Sequence, residues 1–89
     1  MIHQRTRLAI MATLAGVESL DFNDLKGELR LTDGNLSTHL AALERAGYAR
    51  IIKSFKGRKP RTTIEMTAKG REALTDYVEQ LQKILNRAR

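Results

Sequence analysis

The stretch TDGNLSTHLAALERAG, residues 32–47, has the pattern of a single amphipathic helix. Its leucines recur at helical spacing and form one apolar stripe, which consists of Leu36, Leu40 and Leu43. Thr32 or Asp33 can act as the N-cap, because either side chain can accept a hydrogen bond from an unpaired N–H of the first turn. Gly47 can adopt the left-handed conformation that commonly follows a helix. The stretch therefore predicts one helix with defined ends, buried on its leucine side.

Short polar side chains begin the opposite face of this helix, namely Asn35, Ser37, Thr38 and His39. An ordinary solvated face is a mixture of Glu and Lys, whereas short donors and acceptors at a helix N-terminus suit the base edges of a DNA major groove. A plain surface helix of a small bundle would also tolerate them. The helix alone leaves both interpretations open.

The positive charge of the chain is concentrated in one short segment. The 89 residues include 16 Lys and Arg against 10 Asp and Glu, which gives a formal net charge of +6 at pH 7. Residues 50–61 contain six basic residues and no acidic residue, and the rest of the chain is balanced. Charge runs are usually solvated loops, but cations packed this closely repel one another, which indicates a polyanionic partner.

Length and composition predict a single domain, residues 1–89, with a small core. The lack of Cys excludes a disulfide framework and a thiolate metal site, and we expect neither a metal nor a cofactor. No apolar run approaches the length of a membrane span and no signal peptide is visible, so we expect a cytoplasmic protein with no membrane partner.

Two shorter helices are predicted before the first stretch, one over residues 4–15 and one that Asp21 caps. Only a few residues join the second of these to the helix at 32–47. Two short helices in this arrangement, the second with polar groups at its start, form a helix-turn-helix over about residues 21–47. Many helical hairpins that bind nothing share the pattern.

An extended segment follows the helix-turn-helix. Residues 48–55 are rich in β-branched and aromatic side chains, and residues 62–67 alternate in polarity. Between them Gly57 permits a turn, and Pro60 is expected to interrupt strand pairing. This predicts a β-hairpin with a basic tip over about 48–67, the wing of a winged helix. The cations expected to reach phosphates or the minor groove are Lys53, Lys56, Arg58, Lys59 and Arg61.

A long last helix is predicted over about residues 68–86. Its apolar residues follow a heptad seam, and the predicted dimer interface consists of Leu74, Tyr77, Val78, Leu81 and Leu85. The helix could instead pack only along its own monomer. A domain this small leaves much of so long a helix unsupported, which favours a homodimer.

Four parts of the chain match a known family, and together they span essentially the whole sequence. They are RLAIM at 7–11, NLSTHL and LERAGY at 35–40 and 43–48, RKPRT at 58–62, and IEMTAKG at 64–70. In these the chain resembles prokaryotic winged-helix transcriptional regulators of the ArsR/MarR type, especially their short, minimal members. The resemblance implies a mainly α fold with a small β-hairpin (α+β), that is, a winged helix-turn-helix with a long C-terminal dimerisation helix.

The same resemblance implies a function, which is regulation of transcription through sequence-specific binding of double-stranded DNA by a homodimer. The polar residues of the helix at 32–47 match the groove-facing positions of the family, and the cations of the wing match its phosphate and minor-groove contacts. The metal-sensing branch uses Cys-bearing motifs that this sequence lacks. No residue points to a small-molecule effector, so any effector is unknown.

Two other classes of function compete with DNA binding. An enzyme is disfavoured because the two histidines, His3 and His39, are far apart and no nucleophile–base pair or Gly-rich phosphate loop is evident. Winged helices can also serve as protein–protein or RNA-binding modules. Such a module would not need a basic wing together with a polar recognition face.

Overall fold

A computed structural model describes residues 4–88 of the chain, and within them it contains four helices and three strands. In chain order these are α1 (Arg5–Ala15), β1 (Leu20–Asp21), α2 (Phe22–Leu29), α3 (Asp33–Arg45), β2 (Ala49–Lys56), β3 (Lys59–Met66) and α4 (Ala68–Arg87). The predicted mainly α winged-helix fold, with its β-hairpin and long last helix, is confirmed. The short strand β1 consists of Leu20 and Asp21 and directly precedes α2.

The core lies where α1 meets the helix-turn-helix and the sheet. Helix α1 contacts α2, α3, α4 and β3, so it is the element around which the others pack. The largest fully buried side chains are Ile10, Met11, Leu14, Leu25, Leu36, Leu40, Leu43 and Ile64. All three leucines of the α3 stripe are therefore in the core, and this fixes the opposite face of α3 towards solvent.

The sheet is antiparallel, with the strand order β1-β3-β2. Pairing of β2 with β3 runs from Ala49↔Met66 out to Lys56↔Lys59, which leaves a two-residue loop of Gly57 and Arg58. Of these two, Gly57 has a positive φ of 66°. A Gly with positive φ at the first position of a two-residue loop is typical of a type II′ hairpin turn. The wing is therefore a regular ladder up to its tip.

The expectation that Pro60 interrupts strand pairing is wrong, because Pro60 lies within β3 and faces Phe55. The residues that close a two-residue loop form a hydrogen-bonded pair, so the next pair outward from the turn is a non-hydrogen-bonded one. The nitrogen of Pro60 then points away from β2. On that side β1 pairs only with Thr63 and Ile64, so the missing N–H of proline costs no ladder bond.

The ends of α3 are defined as its sequence predicted. The Thr32 hydroxyl accepts a hydrogen bond from the backbone N–H of Asn35 at 3.1 Å, which identifies Thr32 as the N-cap. At the other end Gly47 has a φ of 82°, and the N–H of Tyr48 donates to the carbonyl of Leu43. This is a Schellman motif, and it turns the chain sharply from α3 into β2.

Thr67 joins the turn that ends α3 to the start of α4. Its hydroxyl accepts from the backbone N–H of Gly70 at 3.0 Å and donates to the carbonyl of Gly47 at 2.5 Å. The backbone N–H of Thr67 also donates to the carbonyl of Tyr48 at 3.0 Å. The first turn of α4 is thus bonded directly to the turn that ends α3.

Candidate nucleic-acid interface

The solvent face of α3 carries most of the predicted recognition residues. Ser37 and Thr38 are exposed, as is Asn35, whose side chain is separate from the backbone N–H that the Thr32 cap uses. They occupy the first two turns, at the end of the helix that recognition helices present to base edges. The structure therefore brings these three together on one open surface, and their contacts with bases remain a prediction.

His39 occupies a different environment from the other three. It is half-buried at the border with α1, where its Nδ1 accepts a hydrogen bond from Arg7 Nε at 3.1 Å. Because Nδ1 is the acceptor, the neutral imidazole carries its proton on Nε2. In its predicted DNA contact, His39 would thus donate a hydrogen bond from Nε2–H, at the edge of the exposed face of α3. His3, the other histidine, lies outside the described residues.

Further residues share the exposed face of α3 and were not singled out from the sequence. Gly34 and Arg45 are exposed and lie four positions before and seven positions after Thr38, which places all three on one side of the helix. The 3.6-residue period could have identified both. Gly34 leaves the surface open there, since a Cβ added to it would meet no atom within 4 Å.

Two of the six basic residues between positions 50 and 61 form ion pairs with carboxylates. Arg50 pairs with Glu65 across the hairpin, and Arg61 Nε lies 2.8 Å from Asp21 Oδ1. The hydrogen bond and charge of Asp21 raise the pKa of Arg61. Asp21 does occupy the N-cap position of α2, but its side chain makes no cap hydrogen bond, so the predicted capping role is wrong. It ties the wing to the start of the helix-turn-helix instead.

The remaining cations of this segment make no ion pair with any residue in the range 4–88, and they are Lys53, Lys56, Arg58 and Lys59. All four are exposed. Because their charges are not neutralised within the described part of the chain, the tip of the wing presents a compact positive surface. Arg61 also belongs to the predicted DNA-contacting set, but its guanidinium is held by Asp21.

A cavity connects the base of the wing with α3. It has a volume of about 350 Å³ and is lined by Phe22, Ser37, Leu40, Ile51, Lys53 and Thr62. Ser37 and Lys53, which come from the predicted recognition helix and the predicted wing, therefore border the same depression. The two predicted DNA-contacting elements form one continuous surface.

The last helix exposes an apolar stripe. Val78, Leu81, Ile84 and Leu85 are exposed to 50%, 42%, 59% and 58%, respectively. Leu74 packs against the core of its own domain, and Tyr77 is half-buried. The heptad seam thus begins on the monomer core and continues beyond it as an uncovered stripe. Ile84, which was not among the predicted interface residues, belongs to this stripe.

None of the helices within residues 4–88 combines the length and apolar character that crossing a bilayer requires.

Comparison with known proteins identifies relatives over nearly the whole chain. A family model described as a winged helix DNA-binding domain matches residues 6–85. An uncharacterized protein of Methanocaldococcus jannaschii is 41% identical over 78 residues, which cover 88% of this chain and 85% of that protein. The structure of a transcriptional regulator homologue from Pyrococcus horikoshii has a TM-score of 0.91 at 32% identity, over 96% of this chain and 84% of that one.

Similarity of fold extends to more distant structures. A PadR family transcriptional regulator from Eggerthella lenta has a TM-score of 0.74 at 18% identity, over 98% of this chain and 83% of that one. The predicted resemblance to prokaryotic winged-helix regulators is confirmed by these matches.

Proposed function

This chain belongs to the winged helix DNA-binding domain family, and on that premise we propose that it is a sequence-specific regulator of transcription that binds double-stranded DNA as a homodimer. In this proposal α3 reads bases in the major groove, and the wing contacts phosphates or the minor groove. We also infer that it is a regulator rather than an enzyme, because the family is a DNA-binding one and the matched structures are described as transcriptional regulators. Its place of action would be the cytoplasm, where prokaryotic DNA lies.

One observation carries the proposal, namely the continuity of the polar face of α3 with the wing cations that form no ion pair within residues 4–88. Ser37 and Lys53 border the same cavity, and Lys56, Arg58 and Lys59 extend the positive surface beyond it. Base edges require short donors and acceptors, and phosphates require cations close by. A surface that offers both side by side suits a duplex better than it suits a protein partner.

The exposed stripe of α4 supports the homodimer. Val78, Leu81 and Leu85 lie at heptad spacing, and each is at least 42% exposed in the single chain. A second copy of the same stripe would cover them in a two-fold arrangement. A two-fold dimer repeats its contacts, so we expect a pseudo-palindromic operator with half-sites about one helical turn apart.

Selection of bound DNA from a random duplex pool, followed by sequencing, tests the proposed function directly. We expect enrichment of a two-fold symmetric site. Gel shifts with that site, with unrelated duplex and with single-stranded RNA over a salt series measure the preference. Enrichment of no sequence, or tighter binding of the RNA than of any duplex, would favour the protein–protein or RNA-binding alternative.

Truncation of the recognition face should change sequence preference. We expect Asn35→Ala and Thr38→Ala each to cost on the order of 1–3 kcal/mol at particular base pairs and to leave non-specific binding unchanged, because each would remove a contact to one base edge. A matrix of variants against single-base operator changes measures this effect. Thr75→Ala is the matched control, because Thr75 is an exposed helical threonine on α4. Equal weakening on every sequence would rule out α3 as the reader.

Removal of wing charge should instead weaken binding to all duplexes alike. The double variant Arg58→Ala/Lys59→Ala should lower the slope of log affinity against log salt by about two, since each lost phosphate contact contributes roughly 0.9. Lys83→Ala/Arg87→Ala removes the same two residue types from the exposed surface of α4 and should leave the slope unchanged. If the two double variants behave alike, net charge and not the wing determines the salt dependence.

A further inference from the structure

The tip of the wing carries an apolar pair in addition to its cations. Phe55 is 73% exposed, the largest value among the exposed large hydrophobic residues of the described chain. It faces Pro60 across the ladder, and Pro60 is exposed as well. The two side chains are directly opposite one another in a non-hydrogen-bonded pair, where side chains come closest. We call them the Phe55–Pro60 pair.

The geometry of β2 fixes the direction in which this pair projects. Alternate residues of a strand share a face, so Phe55 lies on the same side as Ala49, Ile51 and Lys53. Ala49 is in the core, Ile51 packs against the core, and Lys53 lines the cavity that Ser37 also borders. Phe55 lies two residues farther out, roughly 7 Å along the strand. Phe55 therefore projects from the side of the hairpin that faces the cavity next to α3. It lies nearer the tip of the wing than that cavity does.

The charges around the pair specify the chemistry of its partner. Lys56 adjoins Phe55, Lys59 adjoins Pro60 and Arg58 lies in the loop between them, and none of these cations has an ion-pair partner within residues 4–88. By the same alternation Lys56 and Lys59 project from the opposite face of the ladder, so positive charge lies next to the pair and not on its own face. A partner must then offer apolar surface with negative charge close by. The minor groove of DNA has this form, since sugars and base edges lie between two rows of phosphates.

We propose that the Phe55–Pro60 pair is an apolar wedge that enters the minor groove of bound DNA, partly unstacks one base-pair step and bends the duplex. Apolar side chains inserted in this way kink DNA by roughly 20–90° towards the major groove. The regular ladder up to Lys56↔Lys59 gives the wedge a firm support. This inference rests on the proposed function, because it requires that the protein bind duplex DNA.

Fluorescence energy transfer between dyes at the two ends of a selected duplex tests the wedge. Wild-type protein should shorten the end-to-end distance, and Phe55→Ala should abolish most of that change and weaken binding on the order of tenfold. Phe55→Leu retains an apolar side chain of similar reach and should retain most of the bend. Ile52→Ala is the matched control, because Ile52 is 36% exposed on the opposite face of the same strand. It should bend DNA as the wild type does.

The outcomes separate the wedge from the proposed function. If wild-type protein binds the selected duplex without bending it, or if Phe55→Ala bends it fully, the wedge is overturned and the DNA-binding function stands. If no duplex is bound, both are overturned. An anionic membrane would also offer apolar material beside negative charge. Vesicles of phosphatidylglycerol and phosphatidylcholine test this alternative partner. Loss of vesicle binding in Phe55→Ala, with DNA binding and bending unchanged, would assign the pair to a membrane surface and overturn the wedge.

Discussion

Replacement of Leu81 with glutamate should convert the proposed homodimer into a monomer. Leu81 lies in the middle of the exposed stripe of α4, so in a two-fold dimer it would be close to its own symmetry mate. Leu81→Glu would bury two like charges without partners, and the desolvation penalty is several kcal/mol for each ion. We expect the dimer dissociation constant to rise at least on the order of a thousandfold. Sedimentation velocity measures the change directly.

Leu81→Glu should bind an isolated operator half-site with the affinity of a single wild-type subunit. It should bind the full operator far more weakly than the wild-type dimer does. Asn86→Glu is the matched control, because it adds the same charge to α4 at an exposed position about 140° around the helix from Leu81. It should leave the dimer intact. A wild-type protein that sediments as a monomer at tens of micromolar would refute the dimer itself.

Gly70→Ala adds only one methyl group, but we expect it to lower the stability of the fold strongly. A Cβ at this position would lie 2.2 Å from the carbonyl oxygen and 2.9 Å from the carbonyl carbon of Tyr48. Both are backbone atoms, so no side-chain rotation can relieve the overlap. The same carbonyl accepts the hydrogen bond from Thr67 N–H, and α4 can move away only by breaking that bond. We expect the free energy of unfolding to fall on the order of 3 kcal/mol.

Gly27→Ala provides the internal comparison. Gly27 is an exposed residue within α2, and an added Cβ would meet no atom within 4 Å. Alanine favours the helix over glycine by roughly 0.5–1 kcal/mol, so this variant should be more stable than the wild type. Urea unfolding followed by circular dichroism compares the two. Equal stability of Gly70→Ala and the wild type would contradict the close approach of α4 to Tyr48.

The fold could be predicted from the sequence because its signals are local. The leucine stripe of α3, its Thr32 cap and the left-handed Gly47 depend on residues a few positions apart. The change from a helical to an alternating pattern likewise located the hairpin. The basic segment predicted a charged wing for the same reason, since its residues are contiguous in the chain. Heptad spacing likewise predicted the apolar seam of α4.

The interactions that the sequence did not reveal join distant segments. Arg61 meets Asp21 across 40 positions and Arg7 meets His39 across 32, and neither pair follows a helical or strand period. Asp21 has the residue type of an N-cap, but an arginine two positions along the neighbouring strand competes for its carboxylate. Pro60 was misjudged because its effect depends on the phase of the ladder, which the loop length sets. The polarity of a residue does not reveal that phase.

The Thr67 hydroxyl has a consequence for the geometry of a dimer built on α4. It links the turn after α3 to the first turn of α4 through two hydrogen bonds, without an intervening linker. A movement of one helix is therefore transmitted to the other. Two such subunits joined along α4 would hold their two α3 helices at one separation and one mutual orientation. The assembly would measure the distance between half-sites as strictly as it reads their bases.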